Sequence, residues 1–136
     1  VRLSGLYGPG RTGLVDRVRS GALALGPGDD AWMNFCHLED AVAAVVAALD
    51  RGRPGAVYHA SDGEPARRRD VVAWIAERLG IATPARASGE PARGADRRVL
   101  ATRTRAELGL ALRFPSFRHG LAPLLRQDAA GVSPTG

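Results

Sequence analysis

The chain has 136 residues, of which 45% are hydrophobic and 24% charged, so it is long enough and apolar enough for one globular domain with a core. Its single cysteine, Cys36, excludes an internal disulfide, no apolar run reaches the roughly 18 residues of a membrane span, and a cytoplasmic protein is expected. The net charge is +5 and all 19 basic residues are arginine, which permits an anionic partner without identifying one.

The first third of the chain is predicted to contain a strand, a helix and a second strand. Residues 1–7 form an apolar strand that a Gly-Pro-Gly sequence ends. Thr12 is positioned to cap a helix that continues to about Ser20, with Gly21 as its stop. After a Gly-Pro-Gly-Asp-Asp turn, residues 31–37 are predicted to form the second strand.

The middle of the chain contains two predicted helices with a strand between them. Asp40 precedes a run of alanine and valine, so we expect it to cap a helix over 41–49. Because that run is apolar nearly all round, the helix is predicted to be buried on most of its sides. Residues 55–60 are predicted to form a compact strand, and residues 67–79 an amphipathic helix.

The last third of the chain is predicted to be less regular. Residues 82–97 are rich in Ala, Pro, Gly and Arg and are expected to form a long surface loop. We expect a short strand over 99–101, helices over 103–108 and 116–125, and a disordered tail over 127–136. The alternation of strands and helices predicts an α/β fold. Since few strands are visible and no initiator Met is present, we expect a fragment whose true start lies upstream.

The sequence from Tyr7 to Gly13 contains the G-x-G-x-x-G pattern that is typical of dinucleotide-binding loops. Such a loop needs backbone N–H groups that face a pyrophosphate, and Pro9 has none. The pattern also needs an acid about 20 residues further on, at the end of a strand, whereas Asp29 and Asp30 lie in a turn. We therefore predict that this loop is not a pyrophosphate cradle.

Two further patterns suggest chemistry that their context does not support. Tyr7 and Arg11 have the spacing of a catalytic Tyr-x-x-x-Lys pair, but the Gly-Pro-Gly sequence between them prevents a helix, and arginine replaces lysine poorly. Cys36, His37 and Asp40 suggest a metal site, but their spacing is not a recognised ligand pattern. We therefore predict no catalytic residue and no metal ligand in this chain.

Four segments, taken in order, carry a resemblance to a known family. They are RLSGLYGPGR, WMNFCHLEDAVAAVVAAL, AVYHASDGEPARRRDVVAWIAERLG and RFPSFRHGL. This series resembles the C-terminal half of the extended short-chain dehydrogenase/reductase family, the NAD-dependent epimerase/dehydratase proteins. The resemblance runs from Val1 to about Leu125. Its most specific pieces are the first segment and His37-x-x-Asp40 at the start of an Ala/Val helix.

The resemblance implies a fold, a cofactor and a substrate class. The fold is the C-terminal part of a Rossmann-type parallel sheet with a small, mostly helical substrate-binding subdomain, over residues 1–126. The cofactor of the intact protein is NAD or NADP, and the substrate is a small molecule with a hydroxyl group, nucleotide sugars included. The family's glycine-rich loop and Tyr-x-x-x-Lys pair are absent here, so the isolated chain is expected to be inactive without an N-terminal half.

The resemblance also implies which residues line the ligand cleft. In relatives, the stretch after the first strand runs close to the nicotinamide end of the cofactor. The expected cofactor-binding residues are therefore Ser4, Gly5, Leu6 and Tyr7. The expected substrate-binding residues are Tyr7, Arg11, Asn34, Arg97 and Arg98. The alternative interpretations are strand-exit packing for the first group and solvent-exposed side chains for the arginines.

A different class of function stays open at this point. The alternative is a basic, non-catalytic module for an anionic partner such as RNA. The arginines are scattered, and aromatic residues make up only 5% of the chain, which disfavours base stacking. Phe35 and Cys36 also depart from what is common in relatives, which leaves both the substrate contacts and a decayed copy of the family open.

Overall fold

The computed structural model describes residues 1–85 and 96–130. Its strands are β1 (Arg2–Leu3), β2 (Gly5–Tyr7), β3 (Trp32–Met33), β4 (Phe35–His37), β5 (His59–Ala60) and β6 (Ala66–Arg67). Its α-helices are α1 (Gly13–Arg19), α2 (Leu38–Arg51), α3 (Arg68–Leu79), α4 (Thr102–Leu108) and α5 (Phe117–Ala130), and a short 3-10 helix covers Pro27–Asp30. The chain is therefore α/β, as predicted.

The predicted first strand forms, but it changes its hydrogen-bonding partner halfway. β1 pairs in parallel with β5, and β2 pairs in parallel with β4. The amides of Arg2 and Ser4 donate to Tyr58 and Ala60, whereas the amide of Gly5 donates to the carbonyl of Asn34. Ser4 is thus the point at which the strand leaves one neighbour and joins the next.

The predicted strand over 31–37 is divided into two strands at Asn34. Its first part, β3, pairs antiparallel with β6, with Trp32 opposite Arg67. Its second part, β4, joins the parallel pairing and is fully buried. The strand is divided because its two halves have different partners: β3 pairs with β6, which precedes α3, and β4 pairs with β2.

The main core lies where α1, α3 and α5 pack on the sheet. Its most deeply buried side chains include Val15 from α1, Ile75 from α3 and Phe117 from α5. Phe117 lies 5.6 Å from Phe35 between ring centroids, which connects α5 to β4. The apolar side of α3 therefore faces the core, as expected for the predicted amphipathic helix.

The prediction that α2 is buried on most of its sides is wrong. Three of its alanines, Ala41, Ala44 and Ala47, pack inward and are buried. The valines and the leucine between them remain exposed, the exposed fraction reaching 81% at Leu49. Alanine and valine are apolar on every side of the helix, so composition alone could not indicate which side meets the sheet.

Several element boundaries also differ from prediction. No strand forms at 99–101 among the described residues, and α5 continues to Ala130, past its expected end at Leu125. The strand expected over 55–60 is reduced to β5. Residues 86–95 of the predicted loop and 131–136 of the predicted tail lie outside the described residues.

Thr12 occupies the predicted capping position in front of α1, but its side chain does not cap the helix backbone. Its hydroxyl instead donates to the Asp16 carboxylate at 2.8 Å. The predicted stop is correct, since Gly21 has a φ of +70° and its amide donates to the carbonyl of Val18.

The contact of α5 with the first strand predicts different effects at two helical glycines. A Cβ on Gly120 would lie 2.1 Å from the Tyr7 hydroxyl oxygen, whereas a Cβ on Gly13 would meet nothing within 4 Å. Gly120→Ala is expected to lower the free energy of unfolding by about 1–3 kcal/mol, because it overpacks the core. Gly13→Ala is expected to raise it by up to about 1 kcal/mol through better helix propensity. Urea denaturation of both variants tests this, and equal midpoints would contradict it.

Candidate functional site

The carboxyl ends of the parallel strands meet at one edge of the sheet. Tyr7 ends β2, His37 ends β4, and Ser61 follows β5. The hydroxyl of Ser61 and the amide of Asp62 both donate to the carbonyl of Phe35, which fixes the end of β5 beside β4. In open α/β sheets, ligands bind beyond this edge.

The glycine-rich loop forms a tight turn at this edge. The amide of Arg11 donates to the carbonyl of Gly8 at 2.9 Å, and Gly8 and Gly10 have φ angles of +148° and +76°. A Cβ on Gly8 would lie 3.2 Å from Leu38, so the turn packs closely on the start of α2. Because Pro9 has no N–H and that of Arg11 is used inside the turn, these residues do not fit a pyrophosphate.

His37 lies beneath this turn and caps α2. Its Nδ1 accepts the backbone N–H of Glu39 at 3.2 Å, and its ring stacks on Phe114 with 3.7 Å between centroids. Burial lowers the pKa of His37, although the acids at Glu39 and Asp40 oppose that shift. The lowered pKa favours the neutral imidazole at neutral pH, and because Nδ1 accepts a hydrogen bond, the proton of that form is assigned to Nε2, which faces Gly8.

Asp40 is not the cap of α2, contrary to prediction. The helix begins two residues earlier, at Leu38, and Asp40 lies within its first turn. Its carboxylate accepts the backbone N–H groups of Arg113 at 2.8 Å and Phe114 at 3.0 Å. The side chain therefore ties the segment before α5 to α2, through a contact between residues 73 and 74 positions apart.

Tyr7 is buried beneath α5 rather than open to solvent. Its hydroxyl donates to the carbonyl of Ser116 at 3.3 Å, and its ring packs on Gly120. Burial, with the nearby charges of Asp62 and Asp40 in support, raises the pKa of Tyr7 far above its ordinary value. The phenol consequently stays protonated, and the side chain belongs to the core.

Asn34 holds the segment that contains the two predicted substrate arginines. Its side-chain amide donates to the carbonyl of Arg97 at 3.0 Å and accepts the amide of Val99 at 2.6 Å. Its backbone carbonyl accepts from Gly5, where a Cβ would lie only 2.9 Å from that oxygen. Asn34 thus joins the first strand to Arg97 and Arg98, whose side chains are both exposed.

Trp32 lies between two arginine side chains beside this segment. The guanidinium carbon of Arg67 is 4.0 Å from the indole centroid, and that of Arg98 is 5.1 Å away. The backbone N–H of Trp32 donates to Asp96 at 2.9 Å. A cation–π contact at an exposed site is worth about 0.5–1 kcal/mol, so Trp32 favours a position of the exposed Arg98 side chain beside its ring.

Most of the predicted site residues form one cluster, and two of them, Tyr7 and Arg11, lie outside it. Gly5, Asn34, Arg97 and Arg98 are brought together, with the half-buried Ser4 and Leu6 next to Gly5 along the strand. Tyr7 lies in the core, and Arg11 lies in the exposed turn at the far end of β2. Sequence reasoning missed the part played by Trp32, because both of its arginine partners are distant along the chain.

Sequence reasoning also missed Asp62, which lies two residues after the end of the parallel strand β5. It is 2% exposed, its Oδ1 accepts the amide of Glu64 at 3.2 Å, and its Oδ2 is buried without a hydrogen-bond partner among the described residues. Burial raises the pKa of Asp62 to about 7, against the hydrogen bonds from the Glu64 and Phe117 amides. This carboxyl is therefore partly protonated near neutral pH.

Two kinds of site are not found in the parts of the chain that the structure describes. Residues 1–85 and 96–130 contain no group of three or more His, Cys, Asp or Glu side chains that could hold a metal ion. Within the same ranges, no helix is both long and apolar enough to cross a bilayer.

Comparison with known proteins identifies similar folds. No family model matches the chain. A 3-diazoavenalumate denitrifying reductase from a Streptomyces species is 36% identical over 89 residues, which cover 62% of this chain and 29% of that protein. A solved protein of unknown function from Silicibacter pomeroyi is 32% identical with a TM-score of 0.78, over 93% of this chain and 48% of the other.

Two further similar solved structures are named as enzymes. An NAD-dependent epimerase/dehydratase from Methylobacillus flagellatus is 25% identical with a TM-score of 0.67, over 93% of this chain and 46% of the other. The resemblance to the NAD-dependent epimerase/dehydratase family is confirmed. A dTDP-glucose 4,6-dehydratase from Streptomyces venezuelae, solved with NAD bound, shares the Rossmann-type fold at 22% identity with a TM-score of 0.78, over 96% of this chain and 43% of the other.

This chain spans less than half of each of these epimerase/dehydratase relatives. It likewise spans under a third of the Streptomyces reductase. The common fold accounts for the parallel strands and for the position of the edge at which their carboxyl ends meet.

The raised pKa of Asp62 predicts a pH-dependent stability. Between about pH 4 and pH 7 the folded chain holds a proton on Asp62 that the unfolded chain releases, so stability falls as pH rises through this range. Relative to Asp62→Asn, which cannot ionise, the unfolding free energy of the natural chain is expected to fall by up to about 1.4 kcal/mol per pH unit.

Chemical denaturation at a series of pH values measures this difference. The lowered pKa of His37 gives an opposite slope in both proteins and cancels from the comparison. Asp50→Asn, which alters an exposed carboxylate on α2, is the matched control and should follow the natural chain. Parallel curves for the natural chain and Asp62→Asn would contradict the assignment.

Proposed function

We propose that residues 1–126 form the substrate-side half of an NAD(P)-dependent epimerase, dehydratase or reductase, whose substrate carries a hydroxyl group, as nucleotide sugars do. The observation that carries the proposal is the cluster at Asn34. Its amide fixes the backbone around Arg97 and Arg98 beside the strand, with both guanidinium groups exposed. Two permanent cations on neighbouring residues, with their backbone held by Asn34, suit a phosphate-bearing substrate.

Each residue of the cluster has a distinct part in the proposed binding. Arg97 and Arg98 bind the anionic portion of the substrate through their N–H donors, and Trp32 limits the positions that Arg98 can take. Asn34 is a positioning residue, because both ends of its amide are engaged with backbone. Arg11 is proposed as a second cationic contact from the turn at the end of β2.

The proposed cofactor is NAD or NADP, which supplies or accepts a hydride when bound. The turn over 8–11 does not fit its pyrophosphate, and the chain contains no lysine for the family's catalytic pair. We therefore propose that Ser4, Gly5, Leu6 and Tyr7 contribute only backbone near the nicotinamide end, and that the isolated chain is inactive. The name of the Methylobacillus flagellatus protein and the NAD bound to the dTDP-glucose 4,6-dehydratase support NAD or NADP as the cofactor.

The alternative, a basic module for an anionic partner such as RNA, is less well supported. Many arginines are already paired with acids. The pairs Arg53–Glu107, Arg68–Asp29, Arg103–Glu107 and Arg113–Glu39 have N–O distances between 2.5 and 3.1 Å. The acids in these pairs offset part of the arginine charge, which weakens the attraction of an anionic partner such as RNA.

Titration with dTDP-glucose, followed by NMR of the amides, tests the proposed substrate site. Shifts are expected at Asn34 and around Arg97–Val99, and Arg97→Ala together with Arg98→Ala should weaken binding at least tenfold. Arg103→Ala, which removes an exposed arginine on α4, is the control and should leave binding unchanged.

The same preparation tests the proposed inactivity. NADH added to the isolated chain is expected to show no micromolar binding by calorimetry, because no pyrophosphate cradle is present in the turn. Micromolar binding of NADH, or dTDP-glucose shifts that persist in the double arginine variant, would overturn the proposed function.

A further inference from the structure

The side of α2 that faces away from the sheet is aliphatic and exposed. Val42, Val45, Val46 and Leu49 have exposed fractions of 63%, 40%, 50% and 81%, and we call these four residues the α2 outer face. Single exposed aliphatic residues are ordinary on protein surfaces, but a contiguous patch of them marks an interaction surface. Four on one helix, in consecutive turns, form such a patch.

A groove connects the α2 outer face to the first strand. Its volume is about 290 Å³, and it is lined by Leu3, Leu6, Leu38, Ala41, Val42, Val45 and Val46. None of these seven residues is charged or polar. The groove therefore runs from the exposed side of the helix to the side of β1 and β2.

The strand that borders this groove has an unpaired edge. Within the described residues, β1 pairs only with β5 and β2 only with β4. The amides of Arg2 and Ser4 both point to β5, so the amide of Leu3 between them points the other way. Leu3 is also 41% exposed, although it lies in a parallel strand of a kind that is normally buried on both faces.

We propose that the groove and this edge are the docking surface for the portion of the fold that the solved relatives have and this chain does not. The occupant supplies a strand parallel to β1 and β2 and an aliphatic helix against the α2 outer face. α2 lies in the connection between the parallel strands β1 and β5, and further connections of the same hand place their helices on the same side of the sheet. This inference rests on the proposed function, because both assign the chain to one half of a larger fold.

The length of the relatives favours this occupant over a second copy of the chain. Solved relatives have about as much chain again, since this chain spans 43–48% of them. That is enough for several strand–helix units. A twofold pair of identical chains would join the Leu3 edges antiparallel, over only two residues before the strand changes partner at Ser4.

A mixing experiment tests the docking surface directly. The probe is the portion of the Silicibacter pomeroyi protein that this chain does not match, produced as a separate polypeptide. Light scattering is expected to give a 1:1 complex with the full chain. Val42→Glu combined with Val46→Glu should raise the dissociation constant at least tenfold, because both glutamates would enter the apolar contact.

Ala43→Glu is the matched control, since Ala43 is exposed on α2 but does not line the groove. Both variants should keep the helical circular dichroism of the natural chain, because the replaced side chains are exposed. Failure to form the complex, or a complex that the double variant leaves unchanged, would overturn the proposal. A dimer of the chain alone that the double variant dissociates would assign the groove to a second copy and would also overturn it.

The outcome is separable from that of the proposed function. A normal complex without dTDP-glucose binding overturns the proposed function and supports the docking surface. If dTDP-glucose binding depends on Arg97 and Arg98 but no complex forms, the docking surface is overturned and the proposed function is supported.

Discussion

The hydrogen bonds of one short strand organise the molecule. Residues 2–7 bond first to β5 and then, after Ser4, to β4. Because the second bond places Gly5 directly against the Asn34 carbonyl, no side chain larger than hydrogen fits at this position. The same asparagine uses its side chain to fix the backbone around Arg97, so the strand and the basic segment are held as one unit.

Two surfaces result from this arrangement, and they differ in chemistry. Beside Asn34 lie the exposed side chains of Arg97 and Arg98, the second of them against the Trp32 ring, and these suit an anion. On α2 lie exposed aliphatic side chains, which suit another apolar polypeptide surface. The buried residues between them, Tyr7 and Asp62 among them, serve to hold the strand ends and α5 together.

Much of the fold could be predicted from sequence because its signals are local. α3 begins one residue from its predicted start and ends at Leu79 as predicted, where the left-handed Gly80 follows. Predictions failed where a distant contact decides the outcome. Asp40 was expected to cap α2, but its carboxylate meets amides 73 and 74 residues away. Which side of α2 is buried depends on the position of the sheet, which an all-apolar helix does not encode.

In the candidate site, too, some features could be predicted from sequence and others depend on distant contacts. Arg97 and Arg98 were named through a family resemblance, and their link to Asn34 is a contact over more than 60 residues that no local pattern reveals. Tyr7 is the last residue of β2, but α5 covers it, and only the packing of Gly120 explains why a large ring fits there.

Amide hydrogen exchange of the chain alone tests the central claim, that the edge of β1 that faces away from β5 is unpaired. The amides of Ser4 and Gly5, which donate to Ala60 and Asn34, are expected to be protected. The amide of Leu3 is expected to exchange at least tenfold faster than either. Equal protection of all three would mean that the chain already covers this edge, and it would contradict the account of an open half-fold.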